Sequence, residues 1–518
     1  MRTGTGGRRP HSRPLLPPSA LRWSAASSVA AAVSYADRGT SAVAASSLLD
    51  SLGWSESQLG GVQSAFFAGY ALTQVAGGVL AGGGAGRRDA VGGEEDGLRL
   101  MDGGGRLTGG RSSGRRRDGE RFRSVLPLSL FLTGIATLLF PLAASAGPAW
   151  ASADRFCLGL MEGLRRRESD DEADAEGGSS DYGHGGTGGG RADVKATASS
   201  IVIAGCYLGS AWAYLSAWGL YSPGLPAGCR LDVETRSGLA AGAKDLLSDT
   251  VDVARETVLS RSGRAILAAQ VGQGALLYSI ASWGPLYLER LGPTQGEVAD
   301  AAAAGASDLP PGVSAVAVTA SAAAASLILP QIAQAAVGVG VGTAADGLST
   351  RIGTRTTRRA LQVVSGVGPA LVLVALTRPG VATAGTEGLE QLLLPPAVLF
   401  GAAQTLSALS LGAVSVSHLD VASPPKAGSV YALGNVAAAV SGSAMVSLFG
   451  MLLDGAAQTS SSSASAAVAA ASADEFALPF RIVALVSAVG SIWYGLTVES
   501  DVEIGSAATA GGTNRKDR

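Results

Sequence analysis

The feature that most constrains this chain is a repeated one. Apolar stretches close to the ~20 residues that a helix needs to cross a bilayer core recur along most of its length. They read at 23–47, 60–82, 124–146, 147–164, 196–222, 264–289, 313–345, 360–378, 389–416, 427–453 and 477–497. The stretch 313–345 is longer than one span, so its membrane helix is placed at 325–346 behind a lead-in of small residues. Charge is scarce to match: 15% of residues are charged, against about a quarter in soluble domains. The expectation is an all-α polytopic membrane protein embedded in a lipid bilayer.

Composition excludes several function classes. The net charge of −2 lacks the basic surplus of a nucleic-acid binder. Three cysteines, Cys157, Cys206 and Cys229, make neither a disulfide framework nor a metal cluster. With only His11, His184 and His418, a His-ligated metal site is not expected. No cofactor motif appears. The Gly runs 82–86 and 103–105 lack a following Lys-Ser/Thr phosphate signature, and the Gly-rich stretch 183–190 is low-complexity linker. No nucleophile–base set is visible in the spans, so an enzyme is not expected.

Polar segments divide the chain. Residues 1–22 form a basic N-terminal tail with five Arg and no acid, a composition shared by short cytoplasmic tails and organelle transit peptides. An N-terminal helix bundle occupies 23–224, with polar inserts at 84–123 and 165–194. A central polar loop covers 225–262, a C-terminal bundle 263–497, and a tail 498–518.

Basic residues concentrate in cytoplasmic loops. The N-terminal tail, the insert 84–123, the loop with Arg351, Arg355, Arg358 and Arg359, Lys426 and the C-terminal tail are basic, whereas 48–59 and 454–476 are not. Both termini are thus expected inside. One conflict follows. Five spans precede residue 223, yet Arg261 and Arg264 require the next span to start inside, which needs an even number of crossings. Segment 237–258 carries Lys244, Asp245, Asp249, Asp252, Arg255 and Glu256, and charge at mid-bilayer costs ~2.5–3.5 kcal/mol per residue. It is not expected to span.

Ionisable residues inside spans are functional suspects because burying them is costly. Asp37 and Arg38 lie in the first stretch. Arg155 and Glu162 lie in the fourth, seven residues apart, which places them two helical turns apart near one face. A guanidinium offers planar bidentate donors to an anion, and a carboxylate in a dehydrated cavity can carry a proton. The pair reads as anion recognition beside proton coupling, or as neutralisation of charges on neighbouring helices. Asp37 reads as a group that orients Arg38, and Asp346 as one that caps or pins a cytoplasmic loop. Gln63, Tyr70, Gln74, Gln270, Gln273 and Tyr278 are polar residues that line a cavity or bond neighbouring helices.

Several runs carry a family resemblance. Gly53-Trp54-Ser55, the run Gly60 to Gln74 and Gly77-Gly78 resemble the second-span signature of the anion:cation symporter family of the major facilitator superfamily, which includes sodium/phosphate cotransporters, vesicular glutamate transporters, sialin and plant plastid anion transporters. Arg155 to Gly163 is similar to its fourth-span Arg…Gly…Glu-Gly motif. Residues 325–369, through Leu329-Pro330, Asp346, Arg358-Arg359, Gln362 and Gly368-Pro369, resemble its eighth and ninth spans. His418-Leu419-Asp420, Lys426-Ala427-Gly428, Asn435 and Ser441-Gly442 resemble its tenth and eleventh.

The resemblance implies the major facilitator fold, two six-helix halves with the substrate near the midplane between them. About 11–12 spans are expected, and the sixth is not evident. It implies secondary active transport of inorganic phosphate or small organic anions, coupled to H⁺ or Na⁺. Arg38 and Arg155 would contact the anion, Glu162 would be the proton-sensitive carboxylate, and Tyr70 and Tyr278 would line the cavity. Gln63 stands where vesicular glutamate members have histidine and plant-type members often glutamine. Gln273 replaces a basic residue or histidine of several relatives. Both favour phosphate or another small anion. Asp37, Arg87, Arg88, Asp346, Asp420 and Asn435 would serve gating or structure. Two departures stand out: Gly82-Gly83 replace the Asp and Arg expected before Gly86-Arg87-Arg88, and Arg165 to Arg167 interrupt the fourth span. The implied membrane is the plastid envelope, the plasma membrane or a vesicle membrane. A non-transporting relative that acts as a membrane sensor or scaffold is the second reading.

Overall fold

The computed structural model describes residues 44–74, 125–178, 195–220, 243–291, 315–378, 396–460, 475–499 and 504, with scattered positions between 24 and 42. Asp37, Arg87 and Arg88 lie outside the described residues, as does the Gly82-Gly83 departure.

The described positions between 24 and 42 are nearly all helical, and α1 follows at Ala45–Leu52. Next come α2 (56–74), α3 (Val125–Ala146), α4 (Pro148–Gly178), α5 (Lys195–Leu220), α6 (Ala243–Leu259) and α7 (Arg261–Leu291). The remainder are α8 (Ala315–Ile352), α9 (Thr354–Leu376), α10 (Pro396–Ser407), α11 (Val414–Val421), α12 (Pro424–Ser460) and α13 (Ala477–Thr497). A 3-10 turn over Ala408–Gly412 joins α10 to α11, so the ninth apolar stretch is one broken span. Among the described residues, 6 helices are long and apolar enough to cross a membrane. Large apolar side chains point outward from the bundle, such as Leu138, Leu142, Trp150, Leu371 and Leu485. Lipid tails, not water, solvate such faces, because exposed apolar surface on this scale is foreign to soluble proteins.

Local chemistry explains the joints. Single glycines with positive φ separate α3 from α4 (Gly147, 124°) and α8 from α9 (Gly353, 88°). Residues with a Cβ rarely adopt those angles, so each glycine turns the chain within one residue. Arg165 to Arg167 end the apolar part of the fourth stretch without ending its helix, which runs to Gly178. Arg, Glu and Ala are good helix formers, so the backbone continues where the hydropathy stops. The lead-in before residue 325 is likewise helical from Ala315.

The central segment also departs from a simple loop. Residues 243–259 form the amphipathic α6, whose Val253 packs with Val421, Tyr494 and Val498. Lys426 at the start of α12 donates to both carboxylate oxygens of Glu256 at 2.8 Å. At this same end of the bundle, Thr197 at the start of α5 donates from N and Oγ1 to Asp346 at 3.0 and 2.6 Å. The 26 residues of α5 rise about 39 Å at ~1.5 Å each, more than a bilayer core. Leu220 therefore falls toward the end of the bundle opposite Thr197.

Two seams join the halves: α5 packs along α8, and α2 meets α12. At the end opposite α6, an aromatic cluster of Trp283, Tyr287, Phe400, Phe449, Phe476 and Phe480 packs with Trp54, Leu59 and Phe140 from the first half. Trp283 stacks on Phe449 at 5.3 Å, and Tyr287 meets Phe480 edge-on at 5.1 Å. Asp454 of α12 accepts from the backbone N–H groups of Glu56 and Ser57 at 2.8 and 3.1 Å, so a carboxylate of one half caps a helix of the other. Arg290 adds a bond to Glu56 at 2.7 Å and lies 3.6 Å from Glu475.

Within the first half, α2 and α4 touch backbone to backbone. A Cβ at Gly159 would overlap the carbonyl of Phe66, and one at Gly69 the carbonyl of Phe156. Lipid tails are as apolar as the helix faces, so close packing through small residues holds such pairs together. Overpacking a tight site costs ~1–3 kcal/mol. Gly159→Ala is thus expected to lower the apparent melting temperature in detergent, whereas Gly61→Ala, where a Cβ would meet nothing within 4 Å, leaves it unchanged or raises it.

Candidate functional site

The close α2–α4 contact brings Arg155 of α4 and Gln63 of α2 to the bundle axis, where Arg38 of the first helix joins them. Arg38 of the first helix crosses to α4. Its Nε donates to Glu162 Oε2 at 2.9 Å, and its Nη2 reaches the same oxygen. Glu162 is fully buried and Arg38 is 13% exposed on the side-chain scale. Aromatic rings wrap the guanidinium: Tyr35 at 4.3 Å, Phe66 at 4.4 Å and Tyr70 at 5.2 Å from their centroids. A ring face attracts a desolvated cation, so these rings help to hold Arg38 away from water. Arg155, two turns before Glu162, lies 3.9 Å over the Phe140 ring and is 3% exposed.

The axis itself is a cavity lined from both halves. The first half contributes Tyr35, Arg38, Gln63, Phe67, Arg155 and Tyr207 to the wall; the second contributes Gln273, Tyr278, Gln404, Ser410, Tyr431 and Asn435, among others. Phe67 stacks on Tyr278 at 4.2 Å, which fixes two walls against each other across the halves. Among the described lining residues, Arg38 and Arg155 carry the charge and no carboxylate lines the wall. Gln63 is 6% exposed, and neither its amide oxygen nor its nitrogen has a hydrogen-bond partner among the described residues. A buried amide left in that state loses its water bonds without replacement, which suits a wall that a ligand completes.

The structure brings together seven of the residues named from sequence: Arg38, Arg155, Gln63, Tyr278, Gln270, Gln273 and Asn435 all line the cavity. Asn435 thus stands on the cavity wall. Tyr70 does not line it; stacked on Phe66 at 6.1 Å and 1% exposed, it backs Arg38 from behind. Glu162 also lies behind Arg38 and pairs with it, not with Arg155 on its own helix. Asp346 and Asp420 lie at the α6 end. Asp346 bonds Thr197, and Asp420 accepts from Arg358 Nε at 2.9 Å while Arg358 Nη1 donates to the Gly412 carbonyl at 2.8 Å.

Sequence reasoning missed Tyr35, Tyr207, Tyr431, Gln331, Gln334 and Gln404. The spacing of Gln331 and Gln334, three residues apart on α8, was the available signal: it stacks two amides on one helix face. The 3-10 turn at Ser410 and Leu411 also lines the cavity.

A comparison with protein-family models and one with curated proteins found no match. Solved structures do match in fold. A bacterial homolog of the human lysosomal transporter Spinster, in an inward-facing and unoccupied conformation, gives a TM-score of 0.54 at 13% identity, over 93% of this chain and 97% of that one. A D-xylose-proton symporter gives 0.53 at 11% identity over 93% and 98%, and the nucleoside transporter NupG 0.51 at 12% over 91% and 98%. The chain is a multi-pass integral membrane protein with the major facilitator fold, shared with these transporters.

Breaking a buried pair by removing one partner costs ~3–5 kcal/mol, whereas replacing both with apolar groups is often close to neutral. Glu162→Leu is expected to lower the apparent melting temperature in detergent strongly. Adding Arg38→Met to it is expected to restore most of the loss, a result read from a double-mutant cycle of thermal unfolding.

Proposed function

We propose that the protein is a secondary active transporter that moves inorganic phosphate or a small organic anion, coupled to H⁺ or Na⁺, by alternating access. One observation carries this reading: a cavity between two halves whose described wall bears two guanidinium groups and no carboxylate, with Glu162 bonded to one of them from behind. An anion entering this cavity meets Arg155 and Arg38 in a site of low dielectric, where charge-assisted bonds are strong. Arg38 is shared. While Glu162 is ionised, it competes with the cargo for that guanidinium. Protonation of Glu162 removes its charge and leaves Arg38 to the anion. Proton uptake and anion binding on one side of the membrane thereby favour each other, which is the linkage a symporter needs.

The halves then rock around the bound anion. The aromatic cluster with the Asp454 cap closes one end, and opening that end means parting those contacts. The transporters that share the fold support transport as the class of activity. The choice of an anion rests on the two guanidinium groups and on the family resemblance of the second and fourth spans.

Purified protein in proteoliposomes, given radiolabelled phosphate and imposed pH or Na⁺ gradients, tests the reading. Uptake driven by one gradient is expected. Arg155→Ala is expected to abolish it, and Lys426→Ala, which alters a pair with Glu256 outside the cavity, to leave it largely intact. Equal uptake by Arg155→Ala removes the site assignment. Anion binding without flux replaces the transporter with a membrane sensor or scaffold.

A further inference from the structure

The corner between α6 and α7 turns an apolar and basic face away from the bundle. On one side of α6, Val253 and Thr257 are buried against the second half, and Glu256 pairs with Lys426. The other side carries Val251, Arg255, Val258 and Leu259, spaced four, three and one residues apart, which sets them on one helix face. Val251, Val258 and Leu259 are 58%, 52% and 66% exposed, and Arg255 is exposed among them. A helix that only packed on the bundle would turn polar residues outward. This one is apolar on both sides.

The corner is held by its own bonds. Only Ser260 separates Leu259 from Arg261. Arg264 Nη1 donates to the carbonyls of Val258 and Leu259 at 3.1 and 2.8 Å, which closes the last turn of α6. Ser260 Oγ accepts from the Gly263 N–H at 2.9 Å, which caps the start of α7. A Cβ at Gly263 would strike the Thr257 carbonyl, so the two helices meet backbone to backbone. Val258 and Leu259 are thereby displayed in fixed positions at the start of α7, a helix long and apolar enough to cross a membrane. At the end of a span the hydrocarbon core gives way to headgroups. Positive charge gathers at the same place. Arg255, Arg261 and Arg264 are exposed, and Asp252 at the edge of the face offsets part of their charge. Arg261, Arg355 and Arg359 lie 3.7, 2.8 and 3.8 Å from the Glu499 carboxylate, so one negative charge serves three guanidinium groups.

We infer that this corner is a docking face for anionic phospholipid, in the leaflet on the α6 side of the membrane. Val251, Val258 and Leu259 enter the boundary between headgroups and acyl chains, and Arg255, Arg261 and Arg264 meet the headgroup phosphates. Basic amphipathic helices bind membrane surfaces in this way, through buried apolar area together with attraction to acidic lipid. Position favours lipid over a soluble partner, because the face adjoins the end of a span, where the headgroup layer is already present. Charge complementarity favours acidic over zwitterionic lipid. A lipid bound here grips the second half from outside the cavity, through the packing of Val253 and the pair between Glu256 and Lys426. The inference is thus independent of which cargo the cavity takes.

The test uses the full chain with Cys157→Ser, Cys206→Ser and Cys229→Ser, and with Val258→Cys carrying an environment-sensitive fluorophore. It is placed in phosphatidylcholine nanodiscs into which phosphatidylglycerol is titrated, with a trace of headgroup-spin-labelled lipid as quencher. Quenching is expected to rise with phosphatidylglycerol. Arg255→Gln is expected to need about fivefold more of it for the half-maximal effect, the weight of one basic residue near an acidic surface. Added salt is expected to raise the same midpoint. A label that stays unquenched at every composition overturns the inference, as does quenching that is equal in phosphatidylcholine alone. A blue-shifted label that the lipid does not quench assigns the face to a second copy or another protein, and overturns it too. Free glycerophosphate that displaces the label's response to a soluble phosphate site does the same. Where the cysteine replacements lower the melting temperature, hydrogen exchange of the unmodified chain reads the same face. Amides of residues 251–259 are then expected to exchange more slowly in the mixed discs, and equal exchange in both lipids overturns the inference.

Discussion

The buried pair between Arg38 and Glu162 is the constraint around which the first half is organised. A single charge at this depth is expensive, and translocon scales put it at ~2.5–3.5 kcal/mol for one residue at mid-helix. The two charges are tolerable only because they meet. For them to meet, the first helix and α4 must hold a fixed register, and α2 must lie close enough for Phe66 and Tyr70 to cover the guanidinium. Gly69 and Gly159 permit that approach by presenting bare backbone to each other. Packing in the first half is thus dictated by an electrostatic requirement and executed by small residues.

The second half solves a different problem. It places its polar groups on the cavity as amides, which carry hydrogen-bonding capacity into the membrane without a full charge. The cost of each amide falls on its own bonds, so the network of Gln331, Gln334, Gln404 and Ser407 holds itself together across α8 and α10. Among the described residues, the second half thus brings no charge to the cavity wall.

How much of this was legible in the sequence depends on the range of each interaction. The spans were legible because a bilayer imposes one length on every crossing, and α13 spans Ala477–Thr497, the same 477–497 as its apolar stretch. Arg38, Arg155 and Glu162 were conspicuous because charge inside a span needs a reason. Their partners were not, since helical periodicity relates Glu162 to Arg155 on its own helix and says nothing about a residue 124 positions away. The amides on α8 and α10 escaped for another reason. A lone glutamine in a span serves equally well as glue between helices or as a cavity wall, and only tertiary structure separates the two roles. The 3-10 break was hidden too: Ala408-Leu-Ser-Leu-Gly412 contains no proline, and no local signal marks where the helix changes its pitch.

The two seams show which contacts the proposed alternating access would have to part. At one end, Asp454 of the second half caps α2 of the first; at the other, Asp346 of the second half caps α5. Each is a carboxylate set against backbone N–H groups at a helix start, where the unsatisfied donors and the helix dipole favour negative charge. Such contacts are strong enough to hold an end shut. They are also few, and water can replace them once the end opens, because helix-start donors and carboxylates hydrate well. The aromatic cluster behaves differently. Its rings pack tightly only in one arrangement, so parting it forfeits many small contacts together. The energy to open that end has to come from elsewhere. In the proposed transport cycle, a molecule held in the cavity between the two halves supplies it.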